Sequence, residues 1–446
     1  MGTRRRLSLA ILCAALAACD GILGINAVFV DASSTDGGTK DSGAGDAGAK
    51  DASTDATTHD AVAPDAHPDS HPPDAFIADA PADSPDAHPC SNDLETDPNN
   101  CGRCGHSCLA SGTCSAGTCQ PKAVSMPQTL TGVPNFLVVS GGKVFWTQGG
   151  HGSDQGAFYA TASGGNATSV TVVPLDEMGW GVQTDGKVVY FVSIGEAVYS
   201  CAFPGCGPDA GMRTVAYTSN FNNGPIPNTI SGMALASDVL YVASNYAIGA
   251  NTGSLTRCTD PADGGACVGI ASNQATTNSP VVVDGGVLLV TEGASFANGG
   301  IDQCPPMGNC GANFILDMNV TSPQYMAADT SRAYWTEWTG TGDGGVILGR
   351  VMGCVREQCS LSAAPYAIDQ ARPEGIASDG VYVYWVNMSA PSVLACPVAG
   401  CPDGGPIVLA ADAATGGAPF QVALDDAGVY WSNMREAGTI VRVAKP

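Results

Sequence analysis

Histidine and basic residues are scarce in this chain, and each shortage excludes a kind of function. Six histidines occur among 446 residues, and four of them precede residue 90, at positions 59, 67, 71 and 88. From residue 121 onward His151 is the only histidine. This part of the chain therefore has too few histidines for a metal site with several histidine ligands, and only one that could serve in a catalytic triad. Lys and Arg number 18 against 42 Asp and Glu. We do not expect such an acidic chain to bind nucleic acid, whose phosphates attract basic side chains.

A hydrophobic run long enough to cross a bilayer is also missing at the N-terminus. The apolar run from Leu7 to Ala18 has twelve residues, follows Arg4-Arg5-Arg6 and leads into Cys19, whereas a membrane-spanning helix needs about 20 residues. Together with Leu16-Ala17-Ala18-Cys19, this segment resembles a bacterial lipoprotein signal peptide with its lipobox. The resemblance implies that residues 1–18 are removed and that Cys19 carries a lipid. An ordinary secretory signal cut elsewhere is the alternative.

The same resemblance implies a location. The protein would be exported and lipid-anchored in the cell envelope, in contact with the membrane through the lipid on Cys19. We expect the outer membrane or the cell surface rather than the inner membrane. The sequence does not indicate an oligomeric state.

Large apolar residues are nearly missing between residues 31 and 89. This segment consists mainly of Asp, Ala, Ser, Thr, Gly, Pro and His, with phrases such as Pro64-Asp65-Ala66-His67-Pro68. Such a composition cannot bury a core. We therefore predict that residues 19–89 form a lipidated, disordered, acidic stalk. Its histidines could bind transition metals, but a solvated linker is the preferred interpretation.

Cysteine, by contrast, is abundant. The chain has 18 cysteines, of which Cys13 and Cys19 belong to the signal segment, and an even number in an exported chain predicts disulfides. Six of them fall within residues 90–120, a segment that resembles a short cysteine module of predicted bacterial surface lipoproteins: Cys90, Cys101, Cys104, Cys108, Cys114 and Cys119. A segment this small needs disulfides in place of a core, and their pairing stays open.

Zinc is the alternative for this module. Cys101 and Cys104, with His106 and Cys108, offer suitable ligand types. A structural zinc site usually takes two ligand pairs that lie further apart, and exported thiols oxidise. Disulfides are therefore preferred, and we predict neither a metal nor a cofactor for the chain.

Residues 121–446 repeat one pattern, an apolar strand, an Asp-Gly-like turn and an aromatic pair. The first member of the pair recurs every 45 to 51 residues, at Phe145, Tyr190, Tyr241, Leu289, Tyr334, Tyr384 and Tyr430. A period of about 40 to 50 residues with several short strands per unit is typical of propeller blades. The fold class predicted is all-β, a seven-bladed β-propeller that follows the stalk and the disulfide-rich module. The last repeat lacks a fourth strand, and residues 122–131 are expected to supply it and close the ring.

Five repeats carry a pair of cysteines between their third and fourth strands. Pairing within each repeat is the simplest prediction. The pairs are Cys201 and Cys206, Cys258 and Cys267, Cys304 and Cys310, Cys354 and Cys359, and Cys396 and Cys401.

Four of the aromatic pairs extend into a motif that resembles a known propeller family. The motifs are Phe145-Trp146-Thr147-Gln148, Tyr334-Trp335-Thr336-Glu337, Tyr384-Trp385-Val386-Asn387 and Tyr430-Trp431-Ser432-Asn433. They resemble the Tyr-Trp-Thr-Asp (YWTD) repeat of low-density-lipoprotein-receptor-type propellers and of related bacterial domains of unknown function. The resemblance implies a propeller fold and a tendency towards protein binding. The fourth position is never Asp in this chain, which puts the polar lattice of that family in question.

A residue that lies five positions before the aromatic pair also recurs. In five repeats it is an aspartate: Asp185, Asp284, Asp329, Asp379 and Asp425. Ser140 takes this position in the first repeat and Ala236 in the third. Carboxylates arranged around a ring could bind calcium. A structural role is the preferred interpretation, because Asp in a turn accepts hydrogen bonds from the backbone that follows it.

The predicted ligand surface is the face formed by the loops that lead into each innermost strand and by the loops after each second strand. Aromatic and polar residues there could stack on sugars or anchor a peptide. The candidates are Asn135, Phe136, Trp180, Gln324, Tyr325, Glu374, Phe420 and Gln421, with Trp338 on a neighbouring long loop.

These features predict a binding or adhesion protein of the cell envelope, whose partner is an envelope protein or a polysaccharide. Two alternatives remain open. One is a propeller enzyme of the lactonase or sugar-dehydrogenase type, for which Glu374 is the only carboxylate placed near the channel mouth. The other is a structural coat lipoprotein without a discrete ligand. We predict a binding or structural module rather than an enzyme and assign no catalytic residue.

Overall fold

The computed structural model describes residues 93–109, 112–126, 132–149, 156–172, 181–193, 197–205, 213–217, 228–236, 238–246, 253–274, 276–283, 286–292, 299–304, 315–411, 417–435 and 438–446. The chain divides into two compact units, residues 1–80 and 81–446, and all of the described residues belong to the second. The predicted signal peptide, the lipidated Cys19, the stalk and Cys90 lie outside the described residues, so these predictions stay predictions.

Nearly all regular structure in the described residues is β-strand. In chain order the strands are β1 (Cys114–Ser115), β2 (Thr118–Cys119), β3 (Lys122–Ala123), β4 (Ser125–Met126), β5 (Val133–Ser140), β6 (Lys143–Gly149), β7 (Gly156–Thr161), β8 (Gly165–Asn166), β9 (Thr168–Val172), β10 (Val182–Thr184), β11 (Val188–Ser193), β12 (Ala197–Ala202), β13 (Arg213–Tyr217), β14 (Asn228–Ala236), β15 (Val239–Tyr246), β16 (Gly253–Thr259), β17 (Cys267–Gln274), β18 (Thr276–Val283), β19 (Gly286–Glu292), β20 (Gly299–Cys304), β21 (Ile315–Val320), β22 (Pro323–Ala328), β23 (Arg332–Thr341), β24 (Ile347–Val355), β25 (Ala364–Ala371), β26 (Pro373–Ser378), β27 (Tyr382–Asn387), β28 (Ser392–Pro397), β29 (Ile407–Ala411), β30 (Pro419–Leu424), β31 (Gly428–Asn433) and β32 (Ile440–Ala444). One helical turn, α1 (Cys359–Ser362), and the 3-10 segments Asp343–Gly345 and Arg356–Gln358 interrupt them.

Each repeat forms a four-stranded antiparallel sheet. In chain order these are sheet 1 (β5-β6-β7-β9), sheet 2 (β10 to β13), sheet 3 (β14 to β17), sheet 4 (β18 to β21), sheet 5 (β22 to β25), sheet 6 (β26 to β29) and sheet 7 (β30-β31-β32-β3). The first strand of each sheet, its inner strand, lies next to the inner strands of the sheets before and after it, and β30 lies next to β5. The prediction of a β-propeller is confirmed. The count of seven blades stays a prediction, which the seven sheets of the described residues support.

The strand that precedes the first repeat completes the last sheet. Lys122 pairs with Arg442 and Ala123 with Val441, so β3 occupies the fourth position that the last repeat leaves open. The pairing is shorter than the predicted segment 122–131, because the chain then turns to sheet 1. There β4 pairs in parallel with β8. The outer edge of β32, which the last repeat leaves unpaired, is therefore hydrogen-bonded to β3.

The aromatic pairs form the core between neighbouring sheets. Trp146, Trp335, Trp385 and Trp431, with Tyr334, Tyr384 and Tyr430, are among the largest fully buried side chains of the described residues. The tryptophan side chain of one strand and the tyrosine beside it face opposite surfaces of their sheet. Sheets that carry the motif therefore use its two aromatic residues to pack against neighbours on opposite sides, as in the cluster that joins Tyr334 to Trp385.

The recurring aspartate closes the turn between the first two strands of a repeat. Asp329 Oδ1 accepts hydrogen bonds from the backbone N–H groups of Ser331 and Arg332, both at 2.8 Å, and Asp329 Oδ2 accepts one from the Tyr334 hydroxyl at 3.0 Å. Asp379 and Asp425 repeat this arrangement with Tyr384 and Tyr430. The prediction of a structural role for these aspartates is confirmed; Asp284 lies outside the described residues.

Within the sheets, the disulfides pair as predicted wherever both partners are described; in the cysteine module, where the sequence left the pairing open, the structure shows two of the bonds. In the sheets, Cys258 pairs with Cys267, Cys354 with Cys359 and Cys396 with Cys401. In the cysteine module, Cys101 pairs with Cys114 and Cys108 with Cys119. Cys104, Cys201 and Cys304 are also disulfide-bonded; Cys206 and Cys310, the predicted partners of Cys201 and Cys304, lie outside the described residues. The Cys101, Cys108 and Cys119 sulfur atoms lie close together, because Cys114 and Cys119 pair across β1 and β2 and bring the two disulfides side by side.

The cysteine module packs against one face of the propeller. Cys101, Cys108 and Cys119 share an apolar cluster with Val429 and Ala444. The His106 Nδ1 and Nε2 atoms lie 2.6 Å and 2.8 Å from the carbonyl oxygens of Cys101 and Lys445. Since Val429 follows the Asp425 turn, the module occupies the face that carries the aspartate turns, which we call the turn face.

Among the described residues, no helix is long and apolar enough to cross a membrane.

Candidate functional site

The inner strands of sheets 1, 5, 6 and 7 begin with a β-bulge on the face opposite the turn face. In sheet 5, Pro323 pairs with Glu337 and Met326 with Trp335, so the inner strand carries one residue more than its partner. Sheets 1, 6 and 7 shift register at the same place after a proline. Proline lacks an N–H and therefore suits the start of a strand, and a bulge re-aims the side chains it carries. We call this surface the bulge face.

Seven of the nine predicted ligand residues lie in these bulges. They are Asn135 and Phe136 in sheet 1, Gln324 and Tyr325 in sheet 5, Glu374 in sheet 6, and Phe420 and Gln421 in sheet 7. Trp180 lies outside the described residues. These seven candidates lie on one face, to which the sequence assigned them; their role in ligand binding stays a prediction.

Three aromatic rings from three sheets meet at the centre of the bulge face. The ring centroids of Phe136 and Phe420 lie 5.8 Å apart, those of Tyr325 and Phe420 5.8 Å, and those of Phe136 and Tyr325 6.3 Å. Two of the contacts are edge-to-face, the arrangement that aromatic quadrupoles favour. Phe420 is buried, whereas Phe136 and Tyr325 are half-buried. This aromatic trio therefore fills part of the channel mouth and leaves two rings partly open to solvent.

Gly375 leaves room for the trio. It occupies the position in sheet 6 that Tyr325 holds in sheet 5, and a Cβ atom there would lie 2.7 Å from the Phe420 carbonyl oxygen and 2.7 Å from Gln421 Cα. Real Cβ atoms essentially never approach other atoms so closely. The bulges of sheets 6 and 7 therefore touch through their backbones. Sequence reasoning missed this residue, although its place two residues after Pro373 is the signal for it.

A hydroxyl group at the third position of the motif forms hydrogen bonds with the backbone of the bulges. Thr336 Oγ1 accepts a hydrogen bond from the Tyr325 N–H at 3.2 Å and donates one to the Glu374 carbonyl oxygen at 3.0 Å, which ties sheet 5 to sheet 6. In sheet 7, the Gln421 N–H donates to Ser432 Oγ at 3.3 Å. The bond from Thr336 to Glu374 supplies a polar link between two sheets without the Asp of the Tyr-Trp-Thr-Asp motif.

Two of the fourth motif positions satisfy the buried tryptophan of their own strand. The Trp335 Nε1–H donates to Glu337 Oε1 at 2.6 Å, and the Trp146 Nε1–H donates to Gln148 Oε1 at 3.4 Å. Burial raises the pKa of Glu337, although its hydrogen bonds to Trp335 and Arg350 act in the opposite direction. Arg350 Nε lies 2.6 Å from Glu337 Oε2.

Glu374 and Trp338 have surroundings that differ from the prediction. Trp338 lies within β23 rather than on a loop, because that strand continues to Thr341. It is buried, and its Nε1–H donates to the Pro373 carbonyl oxygen at 3.2 Å. Glu374 is 2 % exposed and its Oε1 atom accepts a hydrogen bond from Arg372 Nε at 2.8 Å. The Arg372 guanidinium in turn lies over the Trp338 ring, 5.3 Å from its centroid.

The chain that leads into two of the bulges has a strained backbone. Ser322 and Arg372 directly precede the bulge prolines and have φ angles of 36° and 54°. Positive φ is unfavourable for residues other than glycine and is kept only where the surroundings enforce it. At Arg372 this conformation places the guanidinium between Glu374 and Trp338. The sequence holds no signal for it beyond the proline that follows.

Two polar side-chain atoms of the bulges are buried and lack a hydrogen-bond partner within the part of the chain that the structure describes. They are Asn135 Oδ1 and Gln421 Nε2. Asn135 as a whole is 3 % exposed, whereas Gln421 is half-buried. Unpaired buried polar atoms are rare and costly. By contrast, Gln324 Nε2 donates to the carbonyl and hydroxyl oxygens of Ser322.

Comparison with known proteins bears on the fold of the chain and does not assign it a function. No family model and no curated protein matches the chain. Among solved structures, a streptogramin B lyase is 13 % identical, with 72 % of this chain and 96 % of that chain covered and a TM-score of 0.49. BamB from Moraxella catarrhalis is 13 % identical, with 70 % and 83 % covered and a TM-score of 0.42. A nidogen/laminin complex is 14 % identical, with 60 % and 88 % covered and a TM-score of 0.39.

Likenesses at this level carry no argument about activity or partner. They include an enzyme and proteins of other kinds. The strand order of this chain shows its fold. The candidate functional residues lie on the bulge face.

Proposed function

We propose that this protein is a lipid-anchored binding or adhesion protein of the cell envelope. Cys19 would hold the lipid, residues 19–89 would form the stalk, and the propeller would present its bulge face to a ligand. The observation that carries the proposal is the convergence of Phe136, Tyr325 and Phe420 from three sheets onto that face. Aromatic anchors surrounded by polar side chains are typical of binding surfaces.

The position of the cysteine module supports this choice of face. The module packs on the turn face, where it contacts Val429, Ala444 and Lys445. Because the module covers part of the turn face, we assign the ligand to the bulge face.

The bulges also suit recognition physically. The links through Thr336 and Ser432 fix the backbone of the bulges, so the aromatic trio is ordered before any ligand arrives. A preorganised surface loses little conformational entropy on binding. The positive φ at Ser322 and Arg372 is a further sign, because strained backbone often accompanies functional sites.

Affinity capture with matched variants tests the binding surface. The oxidised full-length chain would be immobilised and exposed to solubilised cell envelope, together with Tyr325→Ala and, as the control, Tyr382→Ala. Both tyrosines are half-buried, but Tyr382 begins β27 next to the Asp379 turn. We expect parent and Tyr382→Ala to retain the same envelope component and Tyr325→Ala to lose it.

Two other outcomes would count against the proposal. Equal capture by all three chains would contradict the bulge face as the ligand surface. Capture by none of them would contradict a binding function altogether. The anchor is tested separately, since labelling with a fatty acid should be lost in Cys19→Ser, and persistent labelling would refute lipidation at that residue.

A further inference from the structure

We propose that the bulge face binds a neutral, hydroxyl-rich chain, that is, a saccharide without charged groups. This inference rests on the proposed binding function and names the chemistry of its ligand. Three features of the bulge face carry it: an aromatic platform, charges that neutralise each other, and two unpaired amide atoms of opposite kind.

The aromatic trio decides where a ligand can lie. Because Phe136, Tyr325 and Phe420 contact one another at the channel mouth, a ligand lies across the face rather than along the channel. Phe136 and Tyr325 remain half-buried, so their rings offer apolar surface next to polar side chains. A sugar ring has an apolar C–H face and a polar rim and therefore fits such a platform.

Two buried carboxylates of the described residues, one in a bulge and one beside it, are already paired with arginines. Arg372 Nε lies 2.8 Å from Glu374 Oε1, and Arg350 Nε lies 2.6 Å from Glu337 Oε2. Both carboxylates are nearly inaccessible, with 3 % and 1 % of their side chains exposed. A charged ligand would have to compete with these pairs, and breaking a buried pair leaves an uncompensated charge. A ligand without charge leaves both pairs intact.

The unpaired atoms specify the polar part of the ligand. Asn135 Oδ1 can only accept a hydrogen bond and Gln421 Nε2 can only donate one. They belong to bulges of sheets 1 and 7, whose inner strands are neighbours. A hydroxyl group both donates and accepts, so hydroxyls satisfy both kinds of atom. Both atoms are buried, so the Asn135 and Gln421 side chains have to turn outwards for this, and neither atom gives up a hydrogen bond to a described residue.

A peptide is the competing ligand, since its N–H and C=O groups also have both characters. A common way for a peptide to bind a sheet is to add a strand to an exposed sheet edge. At the bulge face, the bulges interrupt the regular pattern of the inner strands, and the aromatic trio occupies the space beside them. Strand addition therefore has no regular edge to use there.

Calorimetric titration of the oxidised full-length chain tests the proposal. The neutral probes are dextran, a β-1,3-glucan and a galactomannan, the charged probe is polygalacturonate, and a random peptide library is screened in parallel. We expect binding to at least one neutral probe. This binding should be unchanged between about 0.05 and 0.5 M salt, because salt screens only charged interactions.

The variant Gln421→Met separates a ligand contact from a structural role. Removal of an unpaired buried donor should leave the melting temperature unchanged or raise it. Loss of one hydrogen bond should weaken saccharide binding about tenfold, which corresponds to 1.4 kcal/mol. Gln324→Met is the stability comparison. It should lower the melting temperature, because Gln324 Nε2 donates to Ser322.

The other outcomes overturn the proposal in distinguishable ways. Binding to polygalacturonate alone, or binding that weakens with salt, would refute a neutral ligand. Selected peptides that bind the parent but not Tyr325→Ala would refute the saccharide and leave the proposed binding function standing. Binding to no probe and capture of no envelope component would refute both. A Gln421→Met chain that melts earlier and binds normally would show that this amide serves the fold.

Discussion

Replacement of Asp329 by asparagine should lower the free energy of unfolding by about 2 to 4 kcal/mol. The asparagine keeps an oxygen that can accept from the Ser331 and Arg332 N–H groups, but bonds to a neutral oxygen are weaker, at a cost of about 1 kcal/mol in total. Its NH₂ group cannot accept from the Tyr334 hydroxyl, which the carboxylate does at 3.0 Å. Because Tyr334 is fully buried, an unpaired hydroxyl adds about 1 to 3 kcal/mol.

Urea denaturation at neutral pH, followed by tryptophan fluorescence, measures this effect. Tyr334→Phe is the control and should cost only about 1 kcal/mol, since it removes the hydroxyl together with its need for a partner. The double variant should cost less than the sum of the two single variants, because both remove the same hydrogen bond. A loss below about 0.5 kcal/mol for Asp329→Asn, or strict additivity, would refute the structural role of the turn.

The same turn predicts a pH dependence. Burial alone would raise the pKa of Asp329, but hydrogen bonds from Ser331, Arg332 and Tyr334 hold it below its usual range. A depressed folded pKa means that the stability contribution is fully present above the unfolded value of about 3.9 and is lost as the pH falls through the lower folded pKa. The difference between the parent and Asp329→Asn should therefore shrink as the pH falls below about 4. A constant difference down to the acid transition would contradict the assignment.

Three further predictions follow from the fold. Burial raises the pKa of Tyr190 to about 12. The neutral hydroxyl therefore stabilises the fold below the pKa of about 10 that tyrosine has in the unfolded chain, and this contribution is lost as the pH rises through about 12. Ultraviolet absorbance should show the Tyr190 tyrosinate only when the chain unfolds at alkaline pH. Gly375→Ala should destabilise by about 1 to 3 kcal/mol through overpacking, whereas Gly404→Ala, whose Cβ meets nothing within 4 Å, should change the urea midpoint little. Joint replacement of Cys258 and Cys267 by serine opens a loop with a sequence separation of 9 and should cost about 2 to 3 kcal/mol; an unchanged midpoint would contradict that pairing.

The repeating parts of the fold could be predicted from the sequence because each depends on local rules. Asp379-Gly380 specifies a tight turn, and the structure places it between β26 and β27. The short cysteine spacings restrict pairing to the same repeat, and Cys354–Cys359 and Cys396–Cys401 follow. The missing fourth strand of the last repeat likewise pointed to residues near Lys122.

The candidate site was predictable only in part, because its geometry depends on contacts between repeats. The sequence identifies Tyr325 and Phe420 as candidates, but it does not show that the two rings meet. It could not place Trp338 inside β23, since strand length depends on pairing with β24. Nor could it show that Glu374 is buried beside Arg372, because the positive φ of Arg372 is imposed by the surrounding fold.

The most direct test of the bulge face as the ligand surface is amide hydrogen exchange of the full-length chain, measured with and without the envelope component or saccharide that it binds. We expect slower exchange in the ligand-bound chain at the starts of β5, β22 and β30 and unchanged exchange at the Asp329 and Asp425 turns. Protection confined to those turns or to the cysteine module, with the inner-strand bulges unchanged, would contradict it.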